Sequence, residues 1–202
     1  MRVIAGEARG RTLRAPKESA TRPTADKIKG VIFSMLDAAA YKRGFEPDED
    51  GRFPAAQAWP RVLDLFAGSG ALGIEALSRG AVHADFVERD PAATRVIEAN
   101  LLTTGLTDRA SVHRAEVPFG LARLRTPVDL VLVDAPYAAE ADLAAALSAL
   151  EKSRLLQPSG AVVLEQRADA QPPDQIALLP LHRSRTHGGT RITLYLSAEA
   201  EQ

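Results

Sequence analysis

Two short stretches of the chain combine residue types that chemistry uses. The first, Asp64-Leu65-Phe66-Ala67-Gly68-Ser69-Gly70-Ala71-Leu72-Gly73, follows a β-rich run and opens a helix. Gly68, Gly70 and Gly73 have G-x-G-x-x-G spacing, which lets a ligand approach the backbone and aims helix amides at an anion. A nucleotide-containing cofactor cradled by Phe66, Gly68, Ser69 and Gly70 is expected, and the glycines alone admit either a dinucleotide or S-adenosylmethionine. Asp64 favours the latter: a carboxylate at the ligand end of the strand repels a pyrophosphate and suits a cofactor bearing an ammonium and a sulfonium. Glu88 closes the next strand, eighteen positions after Gly70, where ribose hydroxyls are held in both cofactor types. Glu116, after the third strand, reads either as an acceptor for an adenine amino group or as a surface glutamate.

The second stretch is VDLVLVDAPY from Val128, an apolar strand that delivers Asp134-Ala135-Pro136-Tyr137 to the edge of the sheet where ligands bind. Alone, Asp and Pro make an ordinary strand-to-loop turn. Zero cysteine removes thiolate nucleophiles, cysteine-ligated metals and disulfides together. His83, His113, His182 and His187 form no close pair, so no metal is expected.

The elements that must position these residues alternate in type, as a parallel sheet covered by helices requires. Strands are expected from Arg61, Val82, Ala110, Val128 and Ala161, with helices starting near Ala71, Pro91, Val117 and Glu140. The closing runs, IALLPLHRSR and TRITLYLS, are joined through His187-Gly188-Gly189 and read as an antiparallel edge pair. Ahead of them, residues 1–43 are expected to form a basic hairpin over Arg2 to Arg14 and a helix capped by Thr24, with Ile28, Val31, Ile32 and Met35 at core spacing. Residues 44–60 read as a turn-rich loop and 61–202 as the cofactor-binding domain, all within one compact unit. Trp59 reads as packing and Asn100 as a cap or loop anchor.

At 202 residues with 46% hydrophobic and 25% charged residues, the chain has a sizeable core and is not a disordered one. No apolar stretch suits a signal peptide or a membrane span, so a cytoplasmic protein is expected. The net charge of −1 conceals an asymmetry: residues 1–43 carry ten Lys or Arg against four acids, +6, leaving −7 for the remainder. That reads as a solvated surface or as a nucleic-acid contact.

The glycine loop and the Asp134–Tyr137 tetrad together resemble class I S-adenosylmethionine-dependent methyltransferases of exocyclic amino groups, whose fourth strand ends in Asn/Asp-Pro-Pro-Tyr/Phe. Thr21-Arg22-Pro23-Thr24-Ala25-Asp26-Lys27, LDLFAGSGALGIEALSRGA and the opening RVIAGEARGRTLRAP are similar to the bacterial 16S ribosomal RNA guanine-N2 methyltransferase family, from Arg2 to about Leu196. The resemblance implies a Rossmann-like α/β fold with a seven-stranded, mostly parallel sheet. It implies S-adenosylmethionine at Gly68–Gly70 and Glu88, and a guanine at Asp134, Pro136 and Tyr137. It also implies ribosomal RNA as partner, within an assembling small subunit, and a monomer is expected. Ala135 stands where the family has proline, and Glu116 where Asp or Asn is commoner.

For such a target, Asp134 would accept one amino hydrogen and the carbonyl of Ala135 or Pro136 another, leaving the nitrogen lone pair free to react. Tyr137 would stack on the extruded base. Arg9, Arg11, Arg14, Arg22 and Thr24 are the expected RNA contacts. Adenine N6, a protein amide, an NAD-linked oxidoreductase and a non-catalytic RNA-binding protein are the competing readings; Asp64 and the tetrad count against the oxidoreductase, and retention of Asp134 and Tyr137 against the non-catalytic protein.

Overall fold

A computed structural model of the chain describes residues 1–16 and 26–197. Helix α1 (Asp26–Lys42) is followed by α2 (Pro54–Ala58), β1 (Arg61–Leu65), α3 (Ala71–Ser78), β2 (His83–Glu88) and α4 (Pro91–Thr104). Then come a single 3-10 turn at Thr107–Arg109, β3 (Ala110–Arg114), α5 (Val117–Arg123), β4 (Val128–Asp134) and α6 (Glu140–Ser153). The chain closes with β5 (Leu156–Arg167), β6 (Gln175–Ile176), β7 (Leu179–His187) and β8 (Thr190–Leu196).

One sheet runs in the order β3-β2-β1-β4-β5-β8-β7-β6. The first five strands are mutually parallel, and β8, β7 and β6 are each antiparallel to their neighbours. Seven strands and an antiparallel edge match expectation; the two-residue β6 adds an eighth. It arises because IALLPLHRSR is not one strand. Ala177 and Leu178 both take positive φ, 47° and 70°, and fold the run into a tight hairpin without the glycine that such turns usually show.

Apolar residues alternate along the strands, so each face buries its own layer. Val62, Phe86, Leu132 and Val163 pack with Ile32 and Leu36 of α1, Ile74 of α3 and Ile97 of α4. Leu63, Val87, Val133 and Leu164 pack with Leu121 of α5 and Leu150 of α6 on the other face. Helix α4 shows how locally such boundaries are written: Asp90 caps Ala92 N–H at 2.7 Å, Pro91 starts the helix, and Gly105 ends it in the left-handed region.

The expected loop over 44–60 contains α2, whose alanines bury against α1; five residues are too few to show a helical period. Trp59 is 1% exposed and donates Nε1–H to Ser159 O at 3.2 Å. The N-terminal hairpin has a single bridge, Arg2 to Thr12, and it is held mainly by the body. Glu75 Oε2 and Oε1 accept the Ile4 and Ala5 amides at 2.8 and 3.0 Å. Asn100 accepts Arg14 N–H at 2.8 Å and donates to Arg14 O at 3.0 Å.

Candidate active site

Four strands carry a carboxylate to the same face of the sheet, and parity is the reason. Val62, Phe86, Leu132 and Val163 point into the α1/α3/α4 layer, so Asp64, Glu88, Asp134 and Glu165, each two residues on, emerge on that side. Strand order makes them neighbours: Asp134 pairs with Glu165 in register, and Asp64 lies level with Leu132. All four line a cavity of about 1000 Å³ at the carboxyl edge, where the order of strands reverses beside β1 and ligands of such sheets bind.

The glycine loop forms one wall. Gly70, at φ 75°, starts α3 from the left-handed region, which a side chain would strain. A Cβ on Gly73 would stand 2.4 Å from the Phe86 ring, so glycine is what lets α3 seat directly on the sheet. The Gly73 N–H donates to Asp64 Oδ2 at 2.9 Å. Phe66 turns the chain out of β1 at a positive φ of 58°. Ser69 is fastened through its carbonyl, which accepts Asn100 Nδ2–H at 2.9 Å. Glu88 shapes the loop too: Oε2 accepts Gly68 N–H and Oε1 accepts Asp90 N–H, both at 2.8 Å. Its remaining lone pairs leave capacity for a further donor. Glu116 is exposed on the rim, at the start of α5 without a side-chain capping bond.

The opposite wall is the tetrad. Tyr137 is 43% exposed; its hydroxyl lies 2.9 Å from Thr190 Oγ1 and donates to Glu165 Oε1 at 3.4 Å. Pro136 O accepts Ala139 N–H at 2.8 Å and closes a turn, which leaves Ala135 as the better carbonyl of the two expected to face a substrate amine.

The cavity is strongly acidic. Among the described residues seven carboxylates line it against two permanent cations, Lys27 and Arg89, and Arg89 is already paired with Asp142 at 3.0 Å. Burial, opposed by the Gly73 amide and reinforced by Asp134 and Glu88, holds the Asp64 carboxyl well above the usual carboxylate range. Burial and then the charge of Asp134 push Glu165 up to about 8. Its Oε2 is buried without a hydrogen-bond partner. An S-adenosylmethionine cation fits this concentration of carboxyl groups, because its charge would favour their ionised forms and offset the burial that raises them, and a pyrophosphate does not.

Asp64, Phe66, Gly68, Ser69, Glu88, Glu116, Asp134, Pro136 and Tyr137 thus line one cavity, and Gly70 caps the helix behind it. The candidate RNA contacts do not converge in the same way. Arg14 adjoins Ala15 and Pro16, which line the cavity. Arg9 belongs to the opposite end of the hairpin, where Ala8 and Glu7 bond to Ser78 at the end of α3. Arg11 is exposed between them. Arg22 and the expected cap Thr24 lie outside the described residues. Sequence reasoning missed Glu165, although a carboxylate two residues beyond a buried strand position is the same signal that marks Asp64 and Asp134. It also missed Thr190, which nothing local distinguishes. Among the described residues no side-chain group suits a metal ion, and no helix is long and apolar enough to cross a membrane.

The arrangement has close relatives. Bacillus subtilis (strain 168) YlbH is 38% identical over 198 residues, covering 96% of this chain and 98% of the relative. Ribosomal RNA small subunit methyltransferase D of Escherichia coli (strain K12) is 31% identical over 195 residues, covering 96% and 89%. The solved structure of E. coli yhhF superposes with a TM-score of 0.75 at 30% identity, covering 98% of this chain and 97% of the other. The Rossmann-like methyltransferase fold that the resemblance implied is therefore the fold present. Residues 1–196 match the family described as Conserved hypothetical protein 95, and with hairpin, glycine loop and tetrad all inside the matched span, the chain belongs to that family.

Proposed function

We propose that the protein transfers a methyl group from S-adenosylmethionine to the exocyclic N2 of a guanine in 16S ribosomal RNA. The observation that carries this reading is the meeting, in one acidic cavity, of the glycine-loop carboxylates Asp64 and Glu88 with the Asp134–Tyr137 tetrad. The names of the Escherichia coli and Haemophilus influenzae relatives, Ribosomal RNA small subunit methyltransferase D, support RNA as the substrate class.

Asp64, Phe66, Gly68, Ser69, Gly70 and Glu88 would hold the cofactor, with Glu116 at the rim; when bound, it supplies an electrophilic methyl group. The chain's own residues must make a poor nucleophile react, because the guanine amino lone pair is delocalised into the ring. Asp134 accepts one amino hydrogen and the Ala135 carbonyl the other, which favours a pyramidal nitrogen. No strong base is needed, since the nitrogen becomes cationic first and its acidified proton then passes by way of the Asp134 carboxylate to solvent. Tyr137 stacks on the base, worth about 1–3 kcal/mol, and its hydroxyl contacts with Thr190 and Glu165 fix the ring. Arg9, Arg11 and Arg14 contact RNA on the side of the basic hairpin, and Arg22 and Thr24, outside the described residues, are further contacts that the resemblance implies.

Incubation with radiolabelled S-adenosylmethionine and small ribosomal subunits from a strain lacking the enzyme tests the proposal. Label on N2 of one guanine is the expected result. Label on adenine N6, on protein or nowhere overturns it.

A further inference from the structure

We infer that β7 is a second RNA-binding surface, in which Arg183 and Arg185 contact backbone phosphates and lead the strand to the cavity mouth. The inference rests on RNA being the substrate. Arg183 pairs with Leu194 and Arg185 with Ile192, and cross-strand partners share a face, so both arginines stand on the α1 side of the sheet. Two residues along a strand span about 6.6 Å, which lets the two guanidinium groups meet successive parts of one sugar–phosphate chain. The strand ends at His187, and His187 through Thr190 line the cavity, where Thr190 contacts the Tyr137 hydroxyl. A strand of RNA lying on β7 would thus arrive at the proposed base site.

Charge distribution points to a polyanion. Residues 44–174 hold twelve Lys or Arg against twenty acids, a net of −8, whereas 175–197 hold Arg183, Arg185 and Arg191 with no acid at all. Elsewhere on the body surface Arg52, Arg89, Arg109 and Arg167 each sit on a carboxylate, while Arg95, Arg114, Arg123, Arg125 and Arg154 are exposed without an ion pair among the described residues but are interspersed with acidic residues along the chain. Arg183 and Arg185 are exposed and make no ion pair among the described residues. Strand β6 covers the outer edge of β7 at Leu179 and Pro180, and Asp174 O accepts the Leu181 N–H at 2.8 Å; no strand pairs with that edge from Arg183 onward among the described residues. Charges on an open edge also prevent strand-to-strand aggregation, and that role predicts a different experiment.

RNA affinity of Arg183→Gln/Arg185→Gln should be measured across a salt series, with in vitro transcribed, unmodified small-subunit RNA as probe. Two lost phosphate contacts should flatten the log–log salt slope by about 1.4–1.8 and weaken binding, while affinity for S-adenosylhomocysteine stays at the wild-type value. Arg183→Lys/Arg185→Lys keeps the charge and should restore most of the slope, which separates lost charge from a damaged fold. Wild-type slope and affinity in the glutamine variant, with new self-association in sedimentation, would overturn the inference in favour of edge protection. Failure of the wild-type protein to bind this RNA in a salt-dependent way would overturn the RNA reading and this surface with it. Wild-type binding with an unaffected variant overturns the surface alone.

Discussion

Two groups of buried carboxylates lie on the same side of the sheet and are treated in opposite ways. Glu75, fully buried in α3, has a complete set of partners: two hairpin amides, Arg79 Nε at 3.0 Å and Lys29 Nζ at 3.5 Å. Lys29, equally buried, also donates to Arg2 O at 2.6 Å; burial still lowers its pKa, against the opposing pull of Glu75 and Asp26. Asp64 and Glu165 are buried nearly as deeply, yet neither has an ion-pair partner among the described residues, and one oxygen of Glu165 has no partner at all. A buried charge with all its partners is architecture, here fastening the N-terminal hairpin to the core. Buried carboxylates in excess of cations keep a site ready for a cationic ligand and for positive charge that develops during reaction.

The sharpest way to break this contrast is Glu75→Ala. It leaves two amides without an acceptor in the core and takes the buried carboxylate from Lys29, which keeps Arg2 O and Asp26, and removal of one partner from a buried pair costs about 3–5 kcal/mol. Urea unfolding should show a loss of that size; a change below about 1 kcal/mol would mean that the network is ornamental. Asp134→Ala should do the reverse, leaving the unfolding midpoint close to wild type. Its methyl transfer should fall at least tenfold, equivalent to about 1.4 kcal/mol or more, because a charge-assisted bond to the target amine is lost. Wild-type turnover in that variant would remove Asp134 from the chemistry.

Glu165→Gln sharpens the comparison through pH. With its pKa pushed up to about 8, the folded chain keeps a proton that the unfolded chain releases near the ordinary value. Stability contributed by this group is therefore fully present below the unfolded pKa, is lost as the pH rises to about 8, and changes no further above it. Glutamine cannot ionise, so the thermal midpoint of the variant should gain on wild type between pH 5 and pH 8. Parallel curves would show that Glu165 finds a compensating cation. The smallest effect is expected for Tyr137→Phe, which keeps the ring and gives up contacts to Thr190 and Glu165. Hydrogen bonds of this kind contribute about 0.5–1.5 kcal/mol, so the rate on RNA should drop only a few-fold, whereas Tyr137→Ala should lose most of it. The reverse ranking would refute stacking.

Much of the fold was legible because its signals are local. Helices begin at Ala71, Pro91, Val117 and Glu140 as expected, since glycine, proline and capping residues act within one turn of where they stand. Helix α2 escaped because five residues show no period, and the hairpin at Ala177–Leu178 because neither residue advertises a positive φ. Asn100 could be read as an anchor, but its targets, Arg14 and Ser69, lie 86 and 31 positions away.

The site divides along the same line. Residue order alone determined that Asp64, Glu88 and Asp134 lie at or one residue before the ends of buried strands, because hydrophobic alternation and the two motifs are contained within ten residues each. Only the tertiary structure decided which strands are neighbours. It put Glu165, thirty-one positions beyond Asp134, beside it in register, and carried Thr190 of the last hairpin to the Tyr137 hydroxyl. Strand order is settled by how helices on both faces bury their apolar sides together, a global packing condition that no local pattern encodes. The electrostatics of the cavity follow from that order, since a carboxylate is perturbed by whatever folding places beside it.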